Sequence, residues 1–356
     1  MSNANATHVL AGAAHFKTRG GTQFRGGVFR STLGDPQWQA MSAGLPENVE
    51  ARLIVFHPRE RGVVYAGTQD GPYRSKDGGE HWERLGFPVR GAVIWSMVFH
   101  PTRPKVMYAG TAPVGLYRSE DDGDTWTKLN AAVSPEHCKM DFPTRVTGIA
   151  VDPSRPDEIY AALEVSGVIR SSDGGDSWTD LSAPLIKLSE QPHLKSRLSS
   201  DTDASGMLDS HAIAVSAASP GNPFLAVRMG VFRSADRGVN WRDIEVGKHS
   251  PLTYCRDVIV SPHNANVLYG AFSTAARGQD GTLYRSDDLG ASWRRFDNGT
   301  KANATMMEVS AHPHDPATVC GVSRCGQIFA TADTGATWFE SRLPADVNDV
   351  YSVACG

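Results

Sequence analysis

The chain has 356 residues, of which 40% are hydrophobic and 21% charged, and its formal net charge at pH 7 is -4. This composition is ordinary for a globular protein, so it argues against a membrane-spanning or disordered chain and leaves room for a large core. The slightly acidic balance provides no basic surface for nucleic acid, so neither nucleic acid nor a membrane is expected as a partner.

The chain begins MSNANATHVLAGAAHF, which contains no positively charged segment and only a short apolar run. A secretory signal needs both features, so we expect a cytoplasmic protein. A processed form of a secreted precursor would change this expectation. Five irregularly spaced cysteines without a Cys-x-x-Cys pair argue against a disulfide framework and a zinc ribbon.

A turn motif recurs along the chain. It appears as YRSKDGGEHW at residues 73–82, and variants begin at 117, 169, 232, 284 and 329. The shared frame is Ser or Thr, any residue, Asp, any residue, Gly, two further residues and Trp, and six copies are complete. A first copy at 31–38 keeps only the first and the last position of this frame, the Ser and the Trp. Seven of the eight tryptophans align in this way: Trp38, Trp82, Trp126, Trp178, Trp241, Trp293 and Trp338.

Each repeat contains four short apolar runs separated by turn residues. In one unit these runs include LIVFHP, VVYAGT and YRS, and the fourth run opens with the tryptophan. Short β-branched and aromatic runs bounded by Gly, Pro, Asn and Asp predict strands, so each unit is predicted to be a four-stranded meander. The aspartate can accept turn N–H groups, the glycine can adopt a positive φ, and the tryptophan can pack between sheets. We therefore interpret the motif as part of the scaffold.

The repeat resembles the Asp-box, or BNR, repeat of β-propellers. This resemblance covers nearly the whole chain and implies a single all-β domain over 1–356, a seven-bladed β-propeller of four-stranded antiparallel blades. We expect the last strand, at 347–355, to pair with the N-terminal strand at 8–14 and close the ring. Members of this superfamily include sialidases, xyloglucanases, sortilin-type receptors and photosystem II assembly factors. The Phe-Arg-Ile-Pro element of sialidases is absent, so the resemblance does not select a function.

The spacing of the repeats reveals four insertions, at about 14–27, 129–145, 181–211 and 272–281. In an up-and-down blade all four lie on the same face, and long loops on a rigid scaffold usually carry function. The alternative is neutral insertion drift. The segment 181–211, with its apolar start and polar end, is predicted to be a lid over the channel mouth.

Polar residues that open the innermost strands define the predicted site. Five arginines are expected to bind a small anionic molecule there, because guanidinium groups pair well with carboxylates, sulfates and phosphates. The alternative is a structural ring in which Glu50, Glu164, Asp209 and Asp349 neutralise them. The predicted substrate-binding residues are Arg52, Arg145, Arg228, Arg256, Arg324, Glu164 and Trp95.

The candidates for proton transfer are His211, Tyr254 and Tyr351, because histidine titrates near neutrality and arginines can lower the pKa of a nearby tyrosine. No cofactor is expected with certainty. A divalent metal is left open, with His137, His193 and His211 as weak candidate ligands that lack a ligand-like spacing and Cys138 and Asp141 as further donors. His57, His100 and His312 precede prolines in turns and are interpreted as structural.

Two function classes are compatible with these features. The first is a hydrolase or lyase that acts on a small anionic, sugar-derived molecule at the channel mouth. The second is a non-catalytic propeller that binds a protein partner. An enclosed pocket would favour the enzyme, and a broad exposed patch would favour the scaffold.

Overall fold

The computed structural model describes residues 6–131, 137–140, 142–198 and 200–356. Within these ranges the chain forms seven four-stranded antiparallel sheets, which we number as blades 1 to 7. Strands are given from the innermost outward. Blade 1 consists of Val350–Cys355, His8–Ala13, Gly27–Thr32 and Gln39–Ala40, and blade 2 of Ala51–Phe56, Val64–Thr68, Gly71–Ser75 and Glu83–Arg84. Blade 3 consists of Val93–Phe99, Met107–Ala112, Gly115–Ser119 and Thr127–Lys128, blade 4 of Val146–Asp152, Arg155–Leu163, Gly167–Ser171 and Thr179–Asp180, and blade 5 of Ser210–Ala214, Phe224–Val227, Gly230–Arg233 and Arg242–Asp243. Blade 6 consists of Tyr254–Val260, Leu268–Ser273, Gly281–Ser286 and Arg294–Arg295, and blade 7 of Met306–Ala311, Val319–Ser323, Gln327–Thr331 and Phe339–Arg342.

Little else in the described chain is regular. A small hairpin joins Phe16–Lys17 to Gln23–Phe24, the α-helices are Ala183–Leu188 and Ser205–Leu208, and the 3-10 turns are Pro192–Leu194 and Val246–Lys248. No helix of the described residues is long and apolar enough to cross a bilayer.

Blade 1 is built from both ends of the chain, as predicted. The C-terminal strand pairs antiparallel with the N-terminal strand, from Val9 opposite Cys355 to Ala13 opposite Val350. His8 and Gly356 also exchange two backbone hydrogen bonds, of 2.9 and 3.0 Å. This pairing gives the first blade its innermost strand and closes the ring, which leaves no inner sheet edge open at the junction.

The repeated turn motif is a hydrogen-bonded hairpin in each complete copy. In blade 2 the Ser75 hydroxyl donates to Asp77 and accepts the Gly79 N–H at 2.8 Å, while Asp77 accepts the His81 N–H at 2.9 Å. The glycine has a φ of 93°, which a side chain would strain. The same bonds recur around Asp121, Asp173, Asp236, Asp288 and Asp333. These aspartates therefore stabilise turns.

Four of the repeat tryptophans are buried between neighbouring sheets. Trp82, Trp126, Trp241 and Trp293 are at most 7% exposed, whereas Trp38, Trp178 and Trp338 are half-buried. Trp126 lies with its ring 5.6 Å from that of Phe87, and its indole N–H donates to the Gly123 carbonyl at 2.8 Å. The aligned tryptophans thus occupy equivalent positions, but their burial differs from blade to blade.

Every innermost strand contains one β-bulge at the same level. The register of each first pair of strands skips one residue, so two consecutive residues oppose a single partner. The skipped residues are Arg52, Trp95, Thr147, His211, Arg256, Met307 and Tyr351, and all seven line a central channel cavity of about 180 Å³. The bulge brings the following residue into the same cavity in six blades: Leu53, Ser96, Gly148, Ala212, Asp257 and Glu308.

The segment predicted to be a lid is packed into the body of the protein. Leu185, Leu194, Met207 and Leu208 are at most 2% exposed and join one apolar cluster with Cys138 and side chains of blades 4 and 5. Lifting this segment would expose core side chains to water, which is costly. The described part of 181–211 therefore forms a fixed wall, and the prediction of a lid was wrong.

Candidate functional site

A second cavity, of about 470 Å³, lies at the mouth of the channel. It shares His211, Arg256 and Tyr351 with the channel cavity, so the two adjoin. Eight of the predicted site residues line the mouth: Arg145, Glu164, His211, Arg228, Tyr254, Arg256, Arg324 and Tyr351. The other two predicted binding residues, Arg52 and Trp95, line the channel directly below.

Residues from three insertions surround the mouth. Met140 and Phe142 come from 129–145, Leu198 comes from 181–211, and Arg277 comes from 272–281. The fourth insertion reaches the same rim, because the Arg277 guanidinium lies 5.3 Å from the ring centre of Phe16. Asp141 lies outside the described residues.

Four of the five predicted arginines are paired with carboxylates. Arg228 contacts Asp209 at 3.2 Å and Arg324 contacts Asp349 at 2.6 Å. The two remaining pairs are Arg52 with Glu50 and Arg145 with Glu164. For these four arginines the structure agrees with the alternative of a neutralised ring.

Arg256 is the exception among the five. No carboxylate oxygen of the described residues lies within ion-pair distance of its guanidinium, although the side chain is half-buried at the junction of the two cavities. Burial opposes its charge, but the nearby Tyr254 and the carboxylates of Glu164 and Asp209 raise its pKa overall. Of the five predicted arginines, Arg256 is thus the one without an ion-pair partner among the described residues; Arg277 at the mouth has none there either, but it is exposed.

Aromatic rings fix the arginines at the top of the channel. The Arg145 guanidinium lies 4.1 Å from the centre of the Trp95 ring, and Arg52 lies 4.5 Å from that of Tyr351. The two rings meet edge to face at 5.4 Å. Cation–π contacts of this kind hold side chains in one orientation and provide flat apolar surface beside the charges.

His211 is held inside a network of hydrogen bonds. Its Nδ1 lies 2.7 Å from the Cys255 carbonyl, so Nδ1 carries a proton, and its Nε2 lies 3.2 Å from Asp209 and 3.4 Å from the Tyr254 hydroxyl. The side chain is 1% exposed. Its contacts therefore orient the ring toward Asp209, and an exchange of protons with a ligand would require breaking this network.

The two tyrosines lie in different surroundings. Burial raises the pKa of Tyr254, and the surrounding arginines do not reverse this effect, so the expectation of a lowered pKa was wrong for this residue. The Tyr351 hydroxyl donates to Asp349 at 2.9 Å, and Tyr351 lines both cavities. Of the three proton-transfer candidates, Tyr351 is the most accessible from the cavities.

Asp209 provides a test of this network in acid. Burial raises its pKa, but the contacts with His211 and Arg228 outweigh burial and lower it to about 2. Since the carboxylate is more acidic in the folded state, its stabilisation is present above the unfolded pKa and is lost as pH falls toward 2. Between pH 5 and pH 2 we expect the unfolding free energy of Asp209→Asn to fall about 2 kcal/mol less than that of the parent. Urea titrations at both pH values measure this difference, and parallel losses would contradict it.

The structure does not bring the three candidate metal ligands together. His137 faces Asp180 at 3.1 Å, His193 lies in the 3-10 turn Pro192–Leu194, and His211 is enclosed beside Asp209. Over the described part of the chain, grouped His, Cys, Asp and Glu donors occur at Asp77, Glu80 and His81, which are exposed beside a scaffold turn. The turn histidines His57, His100 and His312 each accept backbone N–H groups at Nδ1, which fits the structural interpretation.

Sequence reasoning missed two carboxylates, Asp257 and Glu308. Each directly follows a bulge residue and lines the channel. Burial raises the pKa of both, and the neighbouring Asp257 raises that of Glu308 further. Strict alternation along the strand would turn them away from the channel. The sequence did contain one sign of these two residues. They are the acidic ones among seven equivalent positions, and the other five hold Leu53, Ser96, Gly148, Ala212 and Ser352.

Comparison with known proteins assigns the chain to a family. Residues 70–183 and 229–351 match the Sortilin-Vps10 family, described as sortilin, neurotensin receptor 3. The chain belongs to the Sortilin-Vps10 family. This Sortilin-Vps10 chain is also 26% identical over 208 residues to a xyloglucanase from Paenibacillus sp, an alignment that covers 53% of the chain and 17% of that protein.

Solved structures share the fold of this Sortilin-Vps10 propeller. A GH74 xyloglucanase from Xanthomonas campestris matches with a TM-score of 0.62 and 17% identity, over 85% of this chain and 46% of that one. YCF48 bound to D1 peptide matches with a TM-score of 0.50 and 14% identity, over 83% of each chain. The chain thus spans less than half of the xyloglucanase structure. At these identities the likeness establishes the fold.

Proposed function

We propose that the protein binds a small anionic, sugar-derived ligand at the channel mouth and hydrolyses it. Arg256 carries this proposal, because it is the one predicted arginine without a carboxylate partner among the described residues. Leaving a guanidinium unpaired in a partly enclosed site is unfavourable, and a carboxylate, sulfate or phosphate of a ligand would supply the missing partner.

The surroundings of Arg256 favour a small ligand. The mouth is a concave cavity with aromatic and apolar lining from Phe142, Tyr254 and Tyr351, which is typical of small-molecule sites. The Nε atoms of Arg52 and Arg324 are buried without hydrogen-bond partners and add two donors near the same rings. These donors would orient an anionic group that enters beside Arg256.

Hydrolysis is supported by the likeness to a xyloglucanase, whose name describes cleavage of a sugar polymer. Of the proposed proton-transfer residues, Tyr351 is the best placed, because it lines both cavities and its hydroxyl is already bonded to the Asp349 carboxylate. His211 and Tyr254 would act mainly by orienting Asp209 and Arg228. We also place the protein in the cytoplasm, a proposal supported by its five unpaired cysteines.

A non-catalytic propeller that binds a protein partner is the second candidate. The observation that favours it is the similar fold of YCF48 bound to D1 peptide. A peptide would need to extend from the mouth across the rim, where Phe142 is 36% exposed. Cleavage of a small substrate would separate the two candidates.

The proposed function can be tested with the parent protein alone. We expect calorimetry to show binding of glucuronate and no binding of glucose at the same concentration, because only the former can pair with Arg256. We also expect release of 4-nitrophenol from 4-nitrophenyl glucuronide and none from the glucoside. Equal binding of both sugars would contradict the anion site, and binding of glucuronate without turnover of any anionic glycoside would favour the second candidate.

A further inference from the structure

The channel beneath the mouth is lined by two acidic side chains. Asp257 and Glu308 follow the bulges of neighbouring blades and line the channel cavity. Each carboxylate accepts one backbone N–H, from Val309 at 3.0 Å and from Val353, respectively. No Lys, Arg or His nitrogen of the described chain lies within ion-pair distance of either one, since neither takes part in any of its salt bridges.

Arg256 and two acidic groups that lack an ion-pair partner among the described residues therefore line adjoining cavities. Arg256 and Asp257 are consecutive, yet they do not form an ion pair. Arg256 lines both cavities, whereas Asp257 and Glu308 line the channel and not the mouth. The basic group thus lies at the junction of the cavities, and the two acidic groups lie in the channel.

We propose that the ligand is a small zwitterion, with its anionic group on Arg256 and an ammonium group on Asp257 and Glu308. This inference rests on the proposed function, because it takes the anionic group at the mouth as given. A purely anionic ligand would add negative charge above the two carboxylates in a partly enclosed space. A zwitterion adds no net charge, and it provides a partner both for Arg256 and for the acidic pair Asp257 and Glu308.

Two further observations favour an ammonium group over a metal ion. Over the described residues, Asp257 and Glu308 do not belong to any group of three donors that could hold a metal. A divalent cation such as Ca²⁺ or Mg²⁺ takes six or more oxygen ligands, so on two carboxylates it would have to keep several waters, whereas an ammonium group donates only three hydrogen bonds. Burial raises the pKa of both carboxyl groups, and Asp257 raises that of Glu308 further, while the charge of Arg256 offsets only part of these shifts. An ammonium group beside them would favour their charged forms.

The test compares acids that differ only in the amine. Binding of glycine, β-alanine, 4-aminobutyrate, 5-aminopentanoate and 6-aminohexanoate is measured by calorimetry, each against the unsubstituted carboxylic acid of the same length. For at least one length we expect the amino acid to bind about tenfold more tightly, because a charge-assisted hydrogen bond contributes roughly 1.5–3 kcal/mol. The double variant Asp257→Asn/Glu308→Gln is expected to lose this preference while it still binds the plain acids.

Asp346→Asn is the matched control, because this carboxylate is 59% exposed, pairs with Arg25 and lies outside both cavities. It is expected to keep the preference for the amino acid. Melting temperatures within a few degrees of the parent would show that the isosteric variants fold. Equal affinity of amino acids and plain acids at every length overturns the zwitterion and leaves the anion site standing. A preference that survives in the double variant also overturns it, and failure of all the acids to bind overturns both proposals.

Discussion

Arg256→Gln is expected to weaken binding of glucuronate at the channel mouth about 100-fold or more. The substitution keeps most of the side-chain length but removes the charge, and losing one partner of a desolvated charge pair costs roughly 2–5 kcal/mol. The folded state should tolerate the change, because Arg256 forms no ion pair among the described residues whose partner would be left behind. Calorimetry gives the affinity, and thermal unfolding checks the fold.

Arg90→Gln provides the control for this experiment. Arg90 is exposed, forms no ion pair in the described structure and lies outside the mouth and channel cavities. The two variants lose the same charge, so any general effect of net charge on anion binding appears equally in both. If Arg256→Gln and Arg90→Gln bind glucuronate alike, Arg256 does not anchor the ligand and the proposed function fails.

Trp126→Ala is expected to lower the free energy of unfolding by about 3–5 kcal/mol, the usual cost of deleting a large aromatic side chain from a core. Trp126 is 7% exposed and belongs to the apolar cluster between blades 2 and 3, where Leu85, Phe87 and Met107 surround it. The neighbouring sheets are held by their own ladders and cannot collapse into the space. Denaturant unfolding of the parent and the variant measures the difference.

Trp178→Ala is the comparison within the same protein. Trp178 occupies the same position of the repeat and also donates its indole N–H to a glycine carbonyl, at 2.9 Å, but it is only half-buried. We expect a smaller loss of stability, because less apolar surface leaves water on folding. Equal losses for Trp126→Ala and Trp178→Ala would show that burial does not set the contribution of these residues.

Much of the architecture was predictable because it depends on local sequence. The Ser75–Asp77–Gly79 turn closes within five residues, and its spacing is visible without knowledge of the rest of the chain. The ring of Arg52, Trp95, Arg256 and Tyr351 could be aligned by counting back from the turn at the end of each innermost strand. Strand length and turn position were therefore enough to locate the channel mouth.

The prediction failed where a residue's role depends on its surroundings. Arg52 and Arg256 occupy equivalent positions in the sequence, yet Arg52 has Glu50 beside it and Arg256 has no carboxylate partner within the described residues. The pKa of Tyr254 was expected to fall and is raised, because the cost of burying its charged form outweighs the attraction of the arginines.

The sequence by itself determined the number of blades and the level of the channel mouth, because both follow from motifs whose parts are near one another along the chain. It also determined the closure of the ring, because the first repeat lacks an innermost strand and the last segment supplies one. Only the tertiary structure decided which guanidinium lacks a partner and which carboxylates face the channel. Those properties depend on contacts between blades distant in sequence and on the bulge that turns Asp257 and Glu308 inward. Electrostatic energies follow distance and burial in space, and spacing along the chain does not specify either quantity.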